Sequence, residues 1–168
     1  MEQLVLLDEC HEEAMNLYIH HLKEVQDILH GTGLYFRYGH DFQTWVLKQK
    51  EHHLGIQVDE DLVPSTLYLY MKDHEIIGTI DIRHTLNEQL LKKGGHIGYS
   101  VDPYYRKQGY ATKMLKEALK VCHEWDIWPV LVTCNENNKA SQRVIEKCDG
   151  VLENKYEQTL RYWIGEEK

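Results

Sequence analysis

The 168-residue chain has no apolar run approaching the roughly 20 residues of a membrane span. Behind the acidic start Met1-Glu2-Gln3, residues 4–7 are too short for the core of a signal peptide. These absences lead to the expectation of a cytoplasmic protein with no membrane partner. Excess positive charge is also missing. There are 19 Lys and Arg against 27 Asp and Glu, a formal charge of −8. A nucleic-acid footprint is basic, so no nucleic-acid partner is expected. An acidic surface keeps a domain soluble and also suits a cationic or amine substrate. Cysteine is sparse. Cys10, Cys122, Cys134 and Cys148 form no C-x-x-C pair, which excludes a redox or zinc motif of that spacing. The last three lie in apolar patterns and read as packing residues, with a catalytic thiol as the alternative. Histidine is abundant, with 11 residues, yet ligand spacing is absent. The pairs His20-His21 and His52-His53 split across two helix faces, and no H-E-x-x-H or Cys/His finger occurs. No metal is expected. The dinucleotide pattern G-x-G-x-x-G and the Walker pattern G-x-x-x-x-G-K-S/T are missing too.

What is present is the make-up of an ordinary globular domain, 42% hydrophobic and 27% charged. Its length suits one domain, residues 1–168. The most informative stretch covers residues 95–125. Ile97, Tyr99 and Val101 alternate with small or polar residues, the period of a strand, and Asp102-Pro103 ends it. After Gly109 the period changes. Ala111, Met114, Leu115, Ala118, Leu119 and Cys122 share one helix face, with Lys113, Lys116, Glu117, Lys120 and Glu124 opposite. The pattern is strand, tight loop, helix. The first amides of a helix have no partner within it and lie at the positive end of its dipole, so such a terminus receives phosphates. Gly109 and Ala111 keep that terminus small, and Arg106 and Lys107 bring positive charge. An ordinary strand–helix junction also satisfies this spacing.

The rest of the chain reads as follows. Residues 3–7 form a strand. A helix capped by Asp8 follows, with the stripe Ala14, Tyr18, Leu22, Val25 and Leu29, ended at Gly31 and Gly33. Asp41 caps a second helix closed by Gly55. Tyr35, Phe36, Tyr38, Phe42 and Trp45 either pack these helices onto a sheet or wall a substrate site. Residues 66–71 and 75–84 form a hairpin across Lys72-Asp73-His74. Residues 85–94 are a loop. Beyond the motif helix, residues 128–134 are a strand buried on both faces. Asn137 or Asn138 caps a helix bearing Ala140, Val144, Ile145 and Cys148. Val151-Leu152 and residues 160–164 are late strands. The order is β-α-α-β-β-β-α-β-α-β-β.

Arg106-Lys107-Gln108-Gly109-Tyr110-Ala111 resembles the R/Q-x-x-G-x-G/A pattern of the GNAT superfamily of N-acetyltransferases, after a strand ending Val-x-Pro and before an amphipathic helix. The element order resembles that fold over the whole chain. The resemblance implies a mixed α+β (α/β) domain. Its central sheet is mostly antiparallel, with one splayed parallel pair and helices on both faces. It implies an acetyl-CoA-dependent transfer to a primary amine by direct attack in a ternary complex. The acceptor is a small-molecule amine or a peptide, and the protein a monomer or homodimer. Two alternatives stay open: a CoA-binding sensor that has lost chemistry, since fold does not imply function, and transfer to a protein N-terminus or lysine.

On the same resemblance, Val101 offers main-chain hydrogen bonds to the pantetheine arm. Arg106, Lys107, Gln108, Gly109, Tyr110, Ala111 and Thr112 cradle the pyrophosphate. Asn138 and Ser141 face the cofactor, although Asn138 also suits a plain helix cap. Many relatives carry Glu before Ile-Gly-Tyr. Here His96 stands there, an imidazole able to take the amine proton directly or through water, or a hydrogen-bonded strand histidine. His84 is the second candidate base. The family's usual tyrosine acid falls at Ile145, so Tyr99 or Tyr156 is the substitute.

Overall fold

The computed structural model describes residues 1–165. Seven strands form one sheet in the order β1-β2-β3-β4-β5-β7-β6. They are β1 (Glu2–Leu6), β2 (Ser65–Lys72), β3 (Glu75–Arg83), β4 (Ile97–Val101), β5 (Val130–Asn135), β6 (Val151–Tyr156) and β7 (Thr159–Ile164). Every neighbouring pair is antiparallel except β4 and β5, which are parallel and register at one position, Ile97 opposite Val132. Past that point the two strands part. The mixed sheet with one splayed parallel pair is as expected.

Alternation along the strands builds two cores. Leu67, Leu69 and Met71 of β2 face α1 (Glu12–Glu24) and α3 (Phe42–Leu54), against Met15, Tyr18, Ile19, Leu22, Trp45 and Val46. Ile80 and Ile82 of β3 and Ile97 and Val101 of β4 face α5 (Tyr110–Glu124). Met114, Leu115, Ala118 and Cys122 of α5 are fully buried there. Each large apolar side chain contributes about 1.5–3 kcal/mol on burial. This stripe therefore fixes the axis of α5 and aims its N-terminus at the end of β4. α6 (Lys139–Lys147) packs beside α5 through Ile145, which is entirely buried.

Some elements differ from the sequence reading. α1 stops at Glu24, and Val25 and Leu29 lie in the turn of residues 25–34 instead of on the helix. Val25 is half-exposed, so no burial holds the last turn. Two short helices, α2 (Tyr35–Tyr38) and α4 (Glu88–Lys92), occupy segments read as irregular. A single turn is too short to show a period. α4 is instead set by Asn87, whose Oδ1 accepts from the Leu90 amide at 2.9 Å. β6 extends over six residues, all exposed, so no apolar alternation marked it. Ala140, expected on the buried face of α6, is exposed at its start.

Candidate functional site

The loop between β4 and α5 is built by backbone. Asp102, almost wholly buried, accepts from the Tyr104 amide at 2.9 Å and pairs with His21 Nδ1 at 2.7 Å. That fixes the turn leaving β4. Lys107 and Gly109 take left-handed φ values of +60° and +83°. Gly109 is the N-cap of α5, and a Cβ built on it would meet no atom within 4 Å. The first helical bond runs from Lys113 N–H to Gly109 O at 3.2 Å, so the amides ahead of it have no partner within the helix. A left-handed glycine opening onto unpaired amides fits a phosphate group. Arg106 is engaged here. Its Nε donates to Val101 O at 3.0 Å and its guanidinium pairs with Asp27. The Val101 carbonyl, expected to bind the pantetheine arm, is therefore already occupied. Gln108 Nε2 donates to Tyr104 O. The Tyr110 ring points inward, buried against Tyr70 and Tyr105, and its hydroxyl accepts from Lys72. The Tyr110 side chain is thereby turned away from the expected cradle. Ala111 and Thr112, the next two residues of α5, are half-buried.

Asp102 N–H donates to Ile77 O of β3. Main-chain hydrogen-bonding direction alternates along a strand, so Tyr99 and Val101 present their main-chain groups toward β5, where the pair has splayed. Tyr99 sends its side chain to the α5 face. Its hydroxyl lies 2.7 Å from Ser141 Oγ on the first turn of α6. Burial pushes the phenol up to about 12, so it keeps its proton at neutral pH. Asn138 is the N-cap of α6, its Oδ1 accepting from Ser141 N–H at 3.0 Å. The cap thus places the serine. Tyr156 stands apart on the outer hairpin, beneath the Lys93 ammonium.

The opposite face of β4 is polar. His96 Nδ1 accepts from the Leu131 amide of β5 at 2.9 Å, while its own amide donates to Leu131 O and its carbonyl accepts from Arg83 N–H. Burial first, and the neighbouring Arg83 charge second, lower the imidazole to about 4. An amide can only donate, so Nδ1 carries the lone pair and the neutral ring holds its proton on Nε2. This geometry speaks against His96 as the base that takes the amine proton, because its only unprotonated nitrogen is already spent. Beside it, Arg83 Nε meets Asp81 Oδ2 at 3.1 Å and Nη1 donates to Gly94 O at 3.0 Å. The guanidinium lies over Gly98, where an added Cβ would sit 3.0 Å from Nη2. The turn of residues 25–34 closes over this region. Gly31 has φ +66°, and a Cβ there would fall 2.4 Å from Tyr99 Cα.

His84 does not join this group. It points to the α5 face, with Nε2 2.8 Å from Thr66 Oγ1 and its ring against Trp125. Burial lowers it first, then the charges of His53 and His52. The sequence reading missed Arg83 and Gly98, and took Gly31 only as a helix stop. The available signal for Arg83 is an arginine closing an otherwise apolar strand. For the glycines no sequence signal exists, since their role is set by what crosses them. Among the described residues, no cluster of three or more His, Cys, Asp or Glu can hold a metal ion, and no helix is long and apolar enough to cross a membrane.

Solved structures with this architecture include the ribosomal-protein-S5-alanine acetyltransferase of Vibrio fischeri. It is 14% identical, with a TM-score of 0.69, over 96% of this chain and 91% of that one. The N-acetyltransferase PseH of Campylobacter jejuni, solved with acetyl coenzyme A, is 12% identical. Its TM-score is 0.66, over 99% and 100% of the two chains. An acetyltransferase of Salmonella typhimurium described as modifying the N-terminal serine of ribosomal protein L7/L12 is 16% identical. Its TM-score is 0.64, over 96% and 92%. No curated protein matches by sequence. The model of the acetyltransferase (GNAT) domain matches residues 11–151. With that match spanning most of the chain, and with the splayed β4–β5 pair and the left-handed Gly109 in place, the protein belongs to the GNAT family of acetyltransferases, enzymes that draw on acetyl-CoA.

Proposed function

We propose that the chain moves an acetyl group from acetyl-CoA to a primary amine by direct attack in a ternary complex. The observation that carries this reading is the Tyr99–Ser141 contact at 2.7 Å, placed across the β4–β5 opening. A departing thiolate needs a proton. The Tyr99 phenol retains one, and Ser141 relays or shares it. Tyr99 thus supplies from the strand what Ile145, entirely buried in the core, cannot supply from the helix.

The main-chain edge of β4 turned toward the opening suits the pantetheine arm, with the Val101 amide as donor; the Val101 carbonyl stays with Arg106. The amides of Gly109, Tyr110, Ala111 and Thr112 suit the pyrophosphate, with Lys107 at the mouth. Arg106 contributes there only after leaving Asp27. Asn138 acts through the placement of Ser141. The thioester carbonyl requires a donor as negative charge gathers on it, and the β4 edge amides are the nearest built donors. The amine proton leaves through water, since the two candidate bases, His96 and His84, are engaged elsewhere. The acceptor lies on the α1 side, under the turn of residues 25–34. Transfer to a peptide N-terminus, as in the ribosomal-protein relatives, is one form of the same chemistry. The test is thiol release from acetyl-CoA over a panel of amines and peptides. Release that depends on an acceptor and falls in Tyr99→Phe supports the reading. Tight acetyl-CoA binding with no acceptor-dependent release favours a CoA-binding sensor instead.

A further inference from the structure

We propose that His96 is a permanently neutral hydrogen-bond donor, and that its Nε2–H and the Arg83 guanidinium together receive an oxygen of the acceptor. The acceptor class follows. It is an amine with a hydrogen-bond-accepting oxygen near its nitrogen, not a bare alkyl polyamine. The location of this acceptor rests on the acetyltransferase reading above.

The tautomer is fixed by covalent structure. Leu131 N–H reaches Nδ1 at 2.9 Å, and a backbone amide has no way to become an acceptor. Adding a proton to Nδ1 would set two donors against each other inside a buried site. A proton therefore stays off Nδ1 and on Nε2. His96 is enclosed overall, at 8% exposure. Yet among the described residues Nε2 has no partner, and it is not one of their enclosed unpaired polar atoms. It opens to solvent. Residue alternation puts His96 on the α1 side of β4, the same face as Gly98 and Ser100.

Arg83 is the charged group directly across on β3, bonded to His96 through its own amide at 2.7 Å. Its Nε and Nη1 are occupied by Asp81 and by the carbonyls of Gly94 and Gly95. Among the described residues Nη2 has no partner, and it hangs over Gly98. Gly98 leaves the space that keeps the guanidinium flat against the strand. Two donors from neighbouring strands thus face the same side. Asp81 beside them is almost wholly buried and already covers Arg83. Trp163, the aromatic neighbour of His96 from β7, and Leu131 from β5 carry no charge. The Asp81 carboxylate engages Arg83 through Oδ2 and keeps its unpartnered Oδ1 enclosed, so on the open side a polycation would meet donors. A carbonyl, hydroxyl or carboxylate oxygen would meet both.

Three measurements on the full chain test this. Side-chain nitrogen NMR of His96 should show Nε2 protonated and Nδ1 unprotonated, without titration between pH 5 and 8. Titration in that range, or a proton on Nδ1, overturns the proposal. Second, with CoA present, glycinamide should shift the His96 and Arg83 side-chain signals and 1,4-diaminobutane should not. The reverse order, or no shift with glycinamide, overturns it. Third, His96→Gln keeps a donor near the Nε2 position and should retain acetyl transfer within about tenfold of wild type, with His96→Ala roughly tenfold lower again, the scale of one lost buried hydrogen bond. Equal losses in both variants restore a base role and overturn the donor role. If wild type acetylates no amine, the transferase reading fails, while the two NMR measurements still decide this inference.

Discussion

The two faces of β4 carry different chemistry from one short run of sequence. Toward α5, Ile97 and Val101 are core, and Tyr99 is a phenol poised on Ser141. Toward α1, the even-numbered positions are polar and tied. His96 is held by Leu131, Gly98 lies beneath Arg83, the Ser100 carbonyl accepts from the Tyr18 hydroxyl at 3.1 Å, and Asp102 pairs with His21. The difference teaches that a buried polar residue on a strand acquires its role from the partner opposite it. On the apolar face, the one hydroxyl free to exchange a proton is the one matched with another hydroxyl. On the polar face His96 Nδ1, the Ser100 carbonyl and Asp102 are each already assigned, and what stays open on His96 is an N–H.

The largest expected effect breaks the apolar face. Tyr99→Phe removes the acid and should lower kcat by about 10²-fold or more, within the 10²–10⁴ range of general acid–base assistance, while calorimetric affinity for acetyl-CoA stays near wild type. An unchanged kcat would show that the two faces do not divide the work in this way.

The next sharpens the polar face. His96 is lowered to about 4 by burial. A group with a depressed cationic pKa favours the neutral folded form. Its stability is therefore present above the unfolded value of about 6.5 and is lost as pH falls from there toward 4. The loss is on the order of 3 kcal/mol. Denaturant melts from pH 7 to 4 should show it, and His96→Gln should flatten that slope.

A smaller effect concerns the loop that follows β4. Gly109→Glu forces a side chain onto a left-handed position and sets a carboxylate at the cradle. Strain of about 1–2 kcal/mol and charge repulsion should weaken acetyl-CoA binding roughly tenfold or more, read by calorimetry. Unchanged affinity would remove residues 106–112 from the cofactor site.

The smallest separates the two histidines. His84→Gln loses the Thr66 contact, so stability should fall by about 1 kcal/mol while kcat remains at the wild-type value. A kcat loss matching that of His96→Ala would place His84 in the reaction after all.

The amino-acid sequence by itself determined the strand–loop–helix of residues 95–125, because its period changes from two to 3.6 at a glycine and both periods are long enough to read. It determined the order of the strands and the longer helices, and the cap at Gly55, for the same local reason, and narrowed the cap of α6 to Asn137 or Asn138. It also put His96 where many relatives carry Glu, and Ile145 where the family's usual tyrosine acid falls. Which nitrogen of His96 is free, that Arg106 rests on Val101 and Asp27, that Tyr99 finds Ser141, and that His84 turns away from His96 were decided only by the tertiary structure. Apart from the Arg106–Val101 bond, each depends on a partner between 18 and 79 residues away. A side chain's protonation and direction follow from what the fold sets against it, and one-dimensional spacing holds no record of that.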